Sequence, residues 1–125
     1  MSVQCNQYLA WGYMLDFKKA REVLIELNGG EEGYAELADK YSDNAFKPDI
    51  VEVYGCSMIE DGMAGEYTFF GKIFAKSEND VPLSTMSMPE VTERDRIITE
   101  HEFKRVFGEM FNSDNPQYYL ITHYR

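Results

Sequence analysis

Residues 66–76 read EYTFFGKIFAK, and the alternation in this stretch decides the fold. Tyr67, Phe69, Gly71, Ile73 and Ala75 fall on one side, Thr68, Lys72 and Lys76 on the other. Side chains repeating every second residue mark a strand with one face toward a core. Just upstream, Glu60-Asp61-Gly62-Met63-Ala64-Gly65 is a turn signal of the Asp-Gly type, and before it Ile50 to Met58 is a second strand candidate. The two strands are expected to pair antiparallel.

Working outward, Val3 to Leu15 sets Leu9, Trp11, Tyr13 and Leu15 on one face, a further strand in which Gly12 marks a bulge or a close backbone approach. Asp16 stands where a helix N-cap would, followed by Phe17, Ala20, Leu24 and Leu27 at helical spacing until Gly29 and Gly30. A second helix follows from Glu31, with Tyr34, Leu37, Ala38 and Tyr41 as its stripe. Residues 77–98 hold Pro82 and Pro89 without periodicity and read as a long surface excursion. Thr99 and Glu102 have capping-box spacing ahead of Phe103, Val106, Phe107, Met110 and Phe111, and Tyr118 to Tyr124 closes the chain as a strand.

The order strand, helix, helix, strand, strand, helix, strand predicts an α+β domain over residues 1–125. It would be a four-stranded antiparallel sheet with helices on one face, in split βαβ (ferredoxin-like) order with an extra helix in the first crossover and strands one and three central. At 125 residues and 44% apolar content, the chain can bury roughly two-thirds of its unfolded surface.

Charge narrows the function. The formal charge is −10, divided as −3 over residues 1–48, −6 over 49–99 and −1 over 100–125. Phosphate is repelled, so neither nucleic acid nor an anionic membrane is an expected partner. No apolar run is long enough to span a bilayer, and residues 1–6 lack a secretory pattern, so a cytoplasmic location is expected. Cys5 and Cys56 are too few for a disulfide framework and too far apart for a CxxC site, and are read as reduced thiols.

No chemistry-bearing motif emerges. His101 and His123 lack zinc-ligand spacing, and Asn79, Asp80 and the 60–62 turn lack the spacing of a calcium loop. No metal, cofactor or catalytic residue is expected, and the chain is read as a non-enzymatic protein. With Phe69 turned inward under the helices, Phe70 and Phe74 fall on the outer face of the sheet, an apolar patch suited to a protein partner or a self-interface. Beside it the acidic middle third, with Glu78, Asp80, Glu90 and Glu93, offers carboxylates to a basic protein surface. A small-ligand binding or sequestering protein is the alternative, and a small hydrolase or transferase using His123 or a carboxylate pair a third reading.

In texture, EYTFFGKIFAKS (66–77) leading through a loop to ITEHEFKRVFGEM (98–110) resembles small accessory proteins of large tailed bacteriophages. That resemblance carries over no functional residue. It implies a host-modulating or counter-defence protein that acts by binding in the host cytoplasm.

Overall fold

The computed structural model describes residues 5–41, 56–77, 90–109, 111 and 115–124. Its elements are β1 (Cys5–Asp16), α1 (Phe17–Leu27), α2 (Glu31–Tyr41), β2 (Ser57–Glu60), β3 (Tyr67–Ser77), α3 (Glu93–Phe107) and β4 (Gln117–Tyr124). The strands form one antiparallel sheet in the order β2-β3-β1-β4, so β1 and β3 are central and the fold class is α+β. The strand candidate at 50–58 overlaps β2 only at its end, and residues 50–55 lie outside the described residues.

Local signals explain the helix starts. The Asp16 carboxylate accepts the Lys19 amide at 3.0 Å, the N-cap expected for α1. For α3 the cap is Thr92, whose hydroxyl accepts the Asp95 amide at 3.1 Å while the Asp95 carboxylate accepts the Thr92 amide at 3.1 Å. This replaces the expected box at Thr99 and Glu102. Both of those residues are buried within α3, which starts about two turns earlier, so the surface excursion ends sooner than residue 98. Asp at the third helical position does the same reciprocal bonding as Glu, and acidic Glu93 and Asp95 meet the positive end of the helix.

All three helices pack on one face of the sheet. Their Ala20, Val23, Leu24, Tyr41, Phe103, Val106 and Phe107 meet Tyr13, Leu15, Met58 and Phe70 from the strands. The face that β3 turns to the helices is therefore the opposite of the expected one. Phe70 is fully buried among Tyr41, Phe103 and Phe107, with ring centroids 5.4, 6.1 and 5.7 Å away, and Thr68 is buried beside it rather than solvated.

Phe69 is fully buried too, on the other face, with Tyr8, Ala10, Ile59 and Ile121. This second cluster follows from the coiling of the sheet. Tyr67 is in register with Asp16 at one end of β1 and His123 with Asn6 near the other. Those positions are roughly 33 Å apart along a flat strand, yet the Tyr67 hydroxyl lies 2.8 Å from His123 Nδ1. Diagonal corners of the sheet thus meet, and the face away from the helices becomes a concave interior. The Gly12–Gly71 pair at its middle permits close approach of β1 and β3. A Cβ on Gly12 would stand 2.3 Å from the Phe70 carbonyl oxygen, one on Gly71 would stand 2.4 Å from that of Trp11, and the Phe69 ring closes over both. The close-approach reading of Gly12 describes this contact, while the register shift in β1 falls between Leu9 and Ala10.

Candidate functional site

Where the coiled corners meet, a cleft of about 580 Å³ opens between α2, the end of β2, the β2–β3 turn and the end of β4. Helical spacing brings Tyr34, Ala35, Ala38 and Asp39 of α2 to one wall. Met58, Ile59 and Glu60 supply the floor, Gly62 and Met63 the turn side, and His123 and Tyr124 the far wall. Volume and lining both lie within the ordinary range of small-molecule sites.

The turn is built around Asp61. Its carboxylate accepts the Ala64 amide at 3.1 Å and the Glu66 amide at 3.0 Å, and its carbonyl accepts Gly65 N–H at 2.9 Å. Gly65 has φ 68°, a left-handed conformation that glycine adopts without a Cβ penalty. Asp61 is buried, which pushes its carboxyl pKa up, but the two amide donors and the nearby His123 outweigh this and hold it below the usual range. The turn therefore carries a buried negative charge beside the cleft.

His123 is 7% exposed and bonded through Nδ1 to Tyr67, with the ring of Tyr8 edge-on at 6.3 Å. Burial, then the Asp61 charge, raises the Tyr67 phenol well above its ordinary value, so it stays protonated. The Tyr67 hydroxyl and His123 Nδ1 share one hydrogen bond, whose direction follows the imidazole tautomer. On the opposite wall the Tyr34 hydroxyl donates to Glu60, and burial together with that carboxylate raises the Tyr34 phenol in the same way. The Arg21 guanidinium stacks 5.4 Å from the Tyr34 ring centroid.

A second polar cluster serves packing. Tyr41 donates to the buried Glu102 carboxylate at 2.9 Å, and Arg105 Nη2 reaches the same carboxylate at 2.7 Å and the Tyr41 oxygen at 2.6 Å. Burial pushes the Glu102 carboxyl up, but these bonds prevail and hold it low. The three residues tie the end of α2 to the middle of α3.

Of the residues singled out from sequence, Phe70 belongs to the core and cannot form an exposed patch. Phe74 is half-buried, with Lys72 Nζ 5.4 Å from its ring centroid, and the same ammonium pairs with Asp95 at 2.7 Å. Lys72 thereby brings Phe74 near the start of α3, where Glu90 and Glu93 are exposed. Glu78 and Asp80 lie outside the described residues. Among the described residues no three His, Cys, Asp or Glu side chains converge to hold a metal ion, and no helix is long and apolar enough to cross a membrane. Cys56 is buried in the helix-facing core and is not part of a disulfide.

Apart from His123, which sequence offered only for an enzymatic reading, the cleft residues escaped sequence reading because their spacing carries no motif. Tyr34, Glu60 and His123 come from three elements distant in sequence, and the coil of the sheet brings His123, bonded to Tyr67 of a fourth, to the corner where α2 meets β2. The one local hint was the pairing of an Asp-Gly turn with a histidine on an alternating strand. Comparison with known proteins adds no candidate: no family model, no curated protein and no solved structure matches the chain.

Proposed function

We propose that the chain is a small-ligand-binding protein whose ligand occupies the cleft between α2, the β2–β3 turn and the end of β4. The carrying observation is the convergence there of a buried imidazole, the Tyr34–Glu60 pair and an apolar floor, all positioned by regular elements. Placement on helices and strands gives the site fixed geometry before any ligand arrives. The fold behind it is read as the split βαβ arrangement with an added helix in the first crossover. The strand order and the antiparallel pairing of β1 with both β3 and β4 support that reading.

Ala35 lines the cleft from an exposed helical position, so Ala35→Trp fills the cleft without entering the core. A panel of metabolites screened by thermal shift, followed by amide-shift mapping, tests the proposal. A ligand that moves the amides of Ala35, Ala38, Gly62 and Met63, and loses binding in Ala35→Trp, supports it. Binding unchanged in that variant refutes it.

Docking of a basic protein surface retains one support, the exposed carboxylates Glu90 and Glu93. Salt-sensitive association abolished by neutralising both would identify that function instead.

A further inference from the structure

Six asparagines occur in the chain, and only Asn28 is followed by glycine. In an Asn-Gly pair the backbone nitrogen of the glycine can attack the side-chain amide carbon, because no Cβ shields it. The surrounding structure decides whether that chemistry is open or closed.

Asn28 is the C-cap of α1 and half-buried, while Gly29 after it is exposed. Asn28 Nδ2 donates to the Leu24 carbonyl at 2.7 Å, and the same carbonyl accepts the Asn28 amide at 3.1 Å. The attacking group, Gly29 N–H, reaches the Glu26 carbonyl at 3.4 Å, longer than an ordinary hydrogen bond. Gly29 and Gly30 have φ 76° and 130°, and a Cβ on either would meet nothing within 4 Å. Once the last turn of α1 opens, the peptide after Asn28 can swing without collision, and helix ends open at low cost.

Asp61–Gly62 supplies the contrast. An aspartate before glycine can close the same ring, but an ionised carboxylate resists attack. The buried Asp61 carboxylate is bonded to the Ala64 and Glu66 amides, and Gly62 N–H donates to the Glu60 carbonyl at 2.9 Å. Electrophile and nucleophile are both committed there.

We propose that Asn28 is a site of spontaneous deamidation that resets the junction between α1 and α2. The Gly29 nitrogen loses its proton and bonds to Asn28 Cγ, the Cγ–Nδ2 bond breaks, and ammonia leaves. Water then opens the succinimide at either carbonyl, leaving aspartate or isoaspartate at position 28. Either product removes the donor to Leu24 and places a carboxylate at the negative end of α1. Isoaspartate also lengthens the main chain by a methylene where there is no slack, since a Cβ on Gly33 would stand 2.0 Å from the Asn28 carbonyl oxygen. Next to Gly33, Tyr34 N–H bonds to the Gly30 carbonyl at 3.1 Å, and the Tyr34 hydroxyl reaches Glu60 in the cleft. The modification thus acts on the α2 wall, whether or not the cleft binds a ligand.

The full chain, folded or in urea, is aged in mildly alkaline buffer and sampled by peptide mass spectrometry with fragmentation that separates isoaspartate from aspartate. In the folded chain Asn28 should convert ahead of the other asparagines, about tenfold slower than in urea because ring closure waits on the helix end. Isoaspartate should be the main product, and Asp61 should isomerise only in urea. The aged chain should show moved amides at Gly33, Tyr34 and Ala35, and Asn28→Gln aged alongside, whose longer side chain disfavours the ring, should not. Another asparagine converting first in the folded chain, or Asn28 intact when the urea sample has fully converted, overturns the site. Isomerisation of Asp61 in the folded chain at the rate of Asn28 overturns the structural argument, because local sequence would then set the reaction. Conversion that leaves the α2 amides unmoved overturns the effect on the cleft wall.

Discussion

Truncating Phe70 to Ala removes a ring that touches three others in the helix-facing core. A buried Phe contributes roughly 150–250 Å², which at about 25 cal/mol per Å² corresponds to some 4–6 kcal/mol before the cavity relaxes. Phe→Ala substitutions in cores cost about 3–5 kcal/mol. Contacts to Tyr41, Phe103 and Phe107, two of them from α3 and one from α2, place Phe70 toward the upper part of that range. Against a total stability of about 5–15 kcal/mol, the variant should be marginal. A loss of about 4 kcal/mol lowers Tm by roughly 15 °C for a chain of this length, from an unfolding entropy of about 2.1 cal/mol/K per residue. With a urea slope of about 2 kcal/mol/M the midpoint should fall by about 2 M. Urea titration followed by circular dichroism and by tyrosine fluorescence measures this directly, and Phe70→Leu provides the milder comparison. A midpoint unchanged within about 0.5 kcal/mol would contradict the burial of Phe70 under the helices and restore the exposed aromatic face.

Thr92→Ala should cost about 0.5–2 kcal/mol through loss of the α3 cap, read by urea denaturation, and equal stability of the variant would move the start of the helix. Gly71→Ala should lose at least about 1–3 kcal/mol, because its Cβ meets backbone on β1 rather than a movable side chain; a variant as stable as the parent would deny the close approach of the central strands. Asp61, Asp95 and Glu102 hold carboxyl pKa values below the ordinary 3.8 for Asp and 4.5 for Glu. Their contribution is present above those values and lost as pH falls through the lower folded values, so the urea midpoint should decline below about pH 4, and a midpoint flat to lower pH would refute the three assignments. Tyr34, Tyr41 and Tyr67 have phenols raised above the ordinary 10.0, so the stability they confer is intact below pH 10.0 and is lost above it. Ultraviolet titration should show these three ionising only as the chain unfolds, and reversible ionisation of all nine tyrosines in the folded state would refute this.

Local chemistry was legible at several places where a few neighbouring residues settle it, though not at Thr99 and Glu102, whose capping-box spacing falls inside α3. Asp16 reads as an N-cap because a carboxylate three residues before a free amide has that one use, and Gly29–Gly30 separates α1 from α2 as written. The element order and the antiparallel neighbours of β3 were legible for the same reason. For the orientation of β3, period two alone was insufficient. Alternation assigns a strand's inner face only when the other face is wet, and here Phe69 and Phe70, adjacent in sequence, are both fully buried.

The burial of both faces also accounts for the hidden site. A flat sheet with helices on one side would leave Tyr8, Tyr67 and His123 in water, where a histidine on a strand carries no message. Coiling turns that face inward, brings His123 to Tyr67 and Asp61, and sets all three against the wall that α2 builds with Tyr34 and Glu60. The coil follows long-range register and the Gly12–Gly71 contact; Gly12 reads in sequence as a close backbone approach, but the residue it approaches is distant along the chain. Replacing Gly71 should therefore disturb more than stability. Because the cleft exists only where the diagonal corners meet, a Gly71→Ala chain that still folds should lose the Tyr67–His123 contact and the ligand affinity of the cleft together. Imidazole shifts that remain parental in that variant while affinity drops would locate the defect elsewhere and separate the cleft from the coil of the sheet.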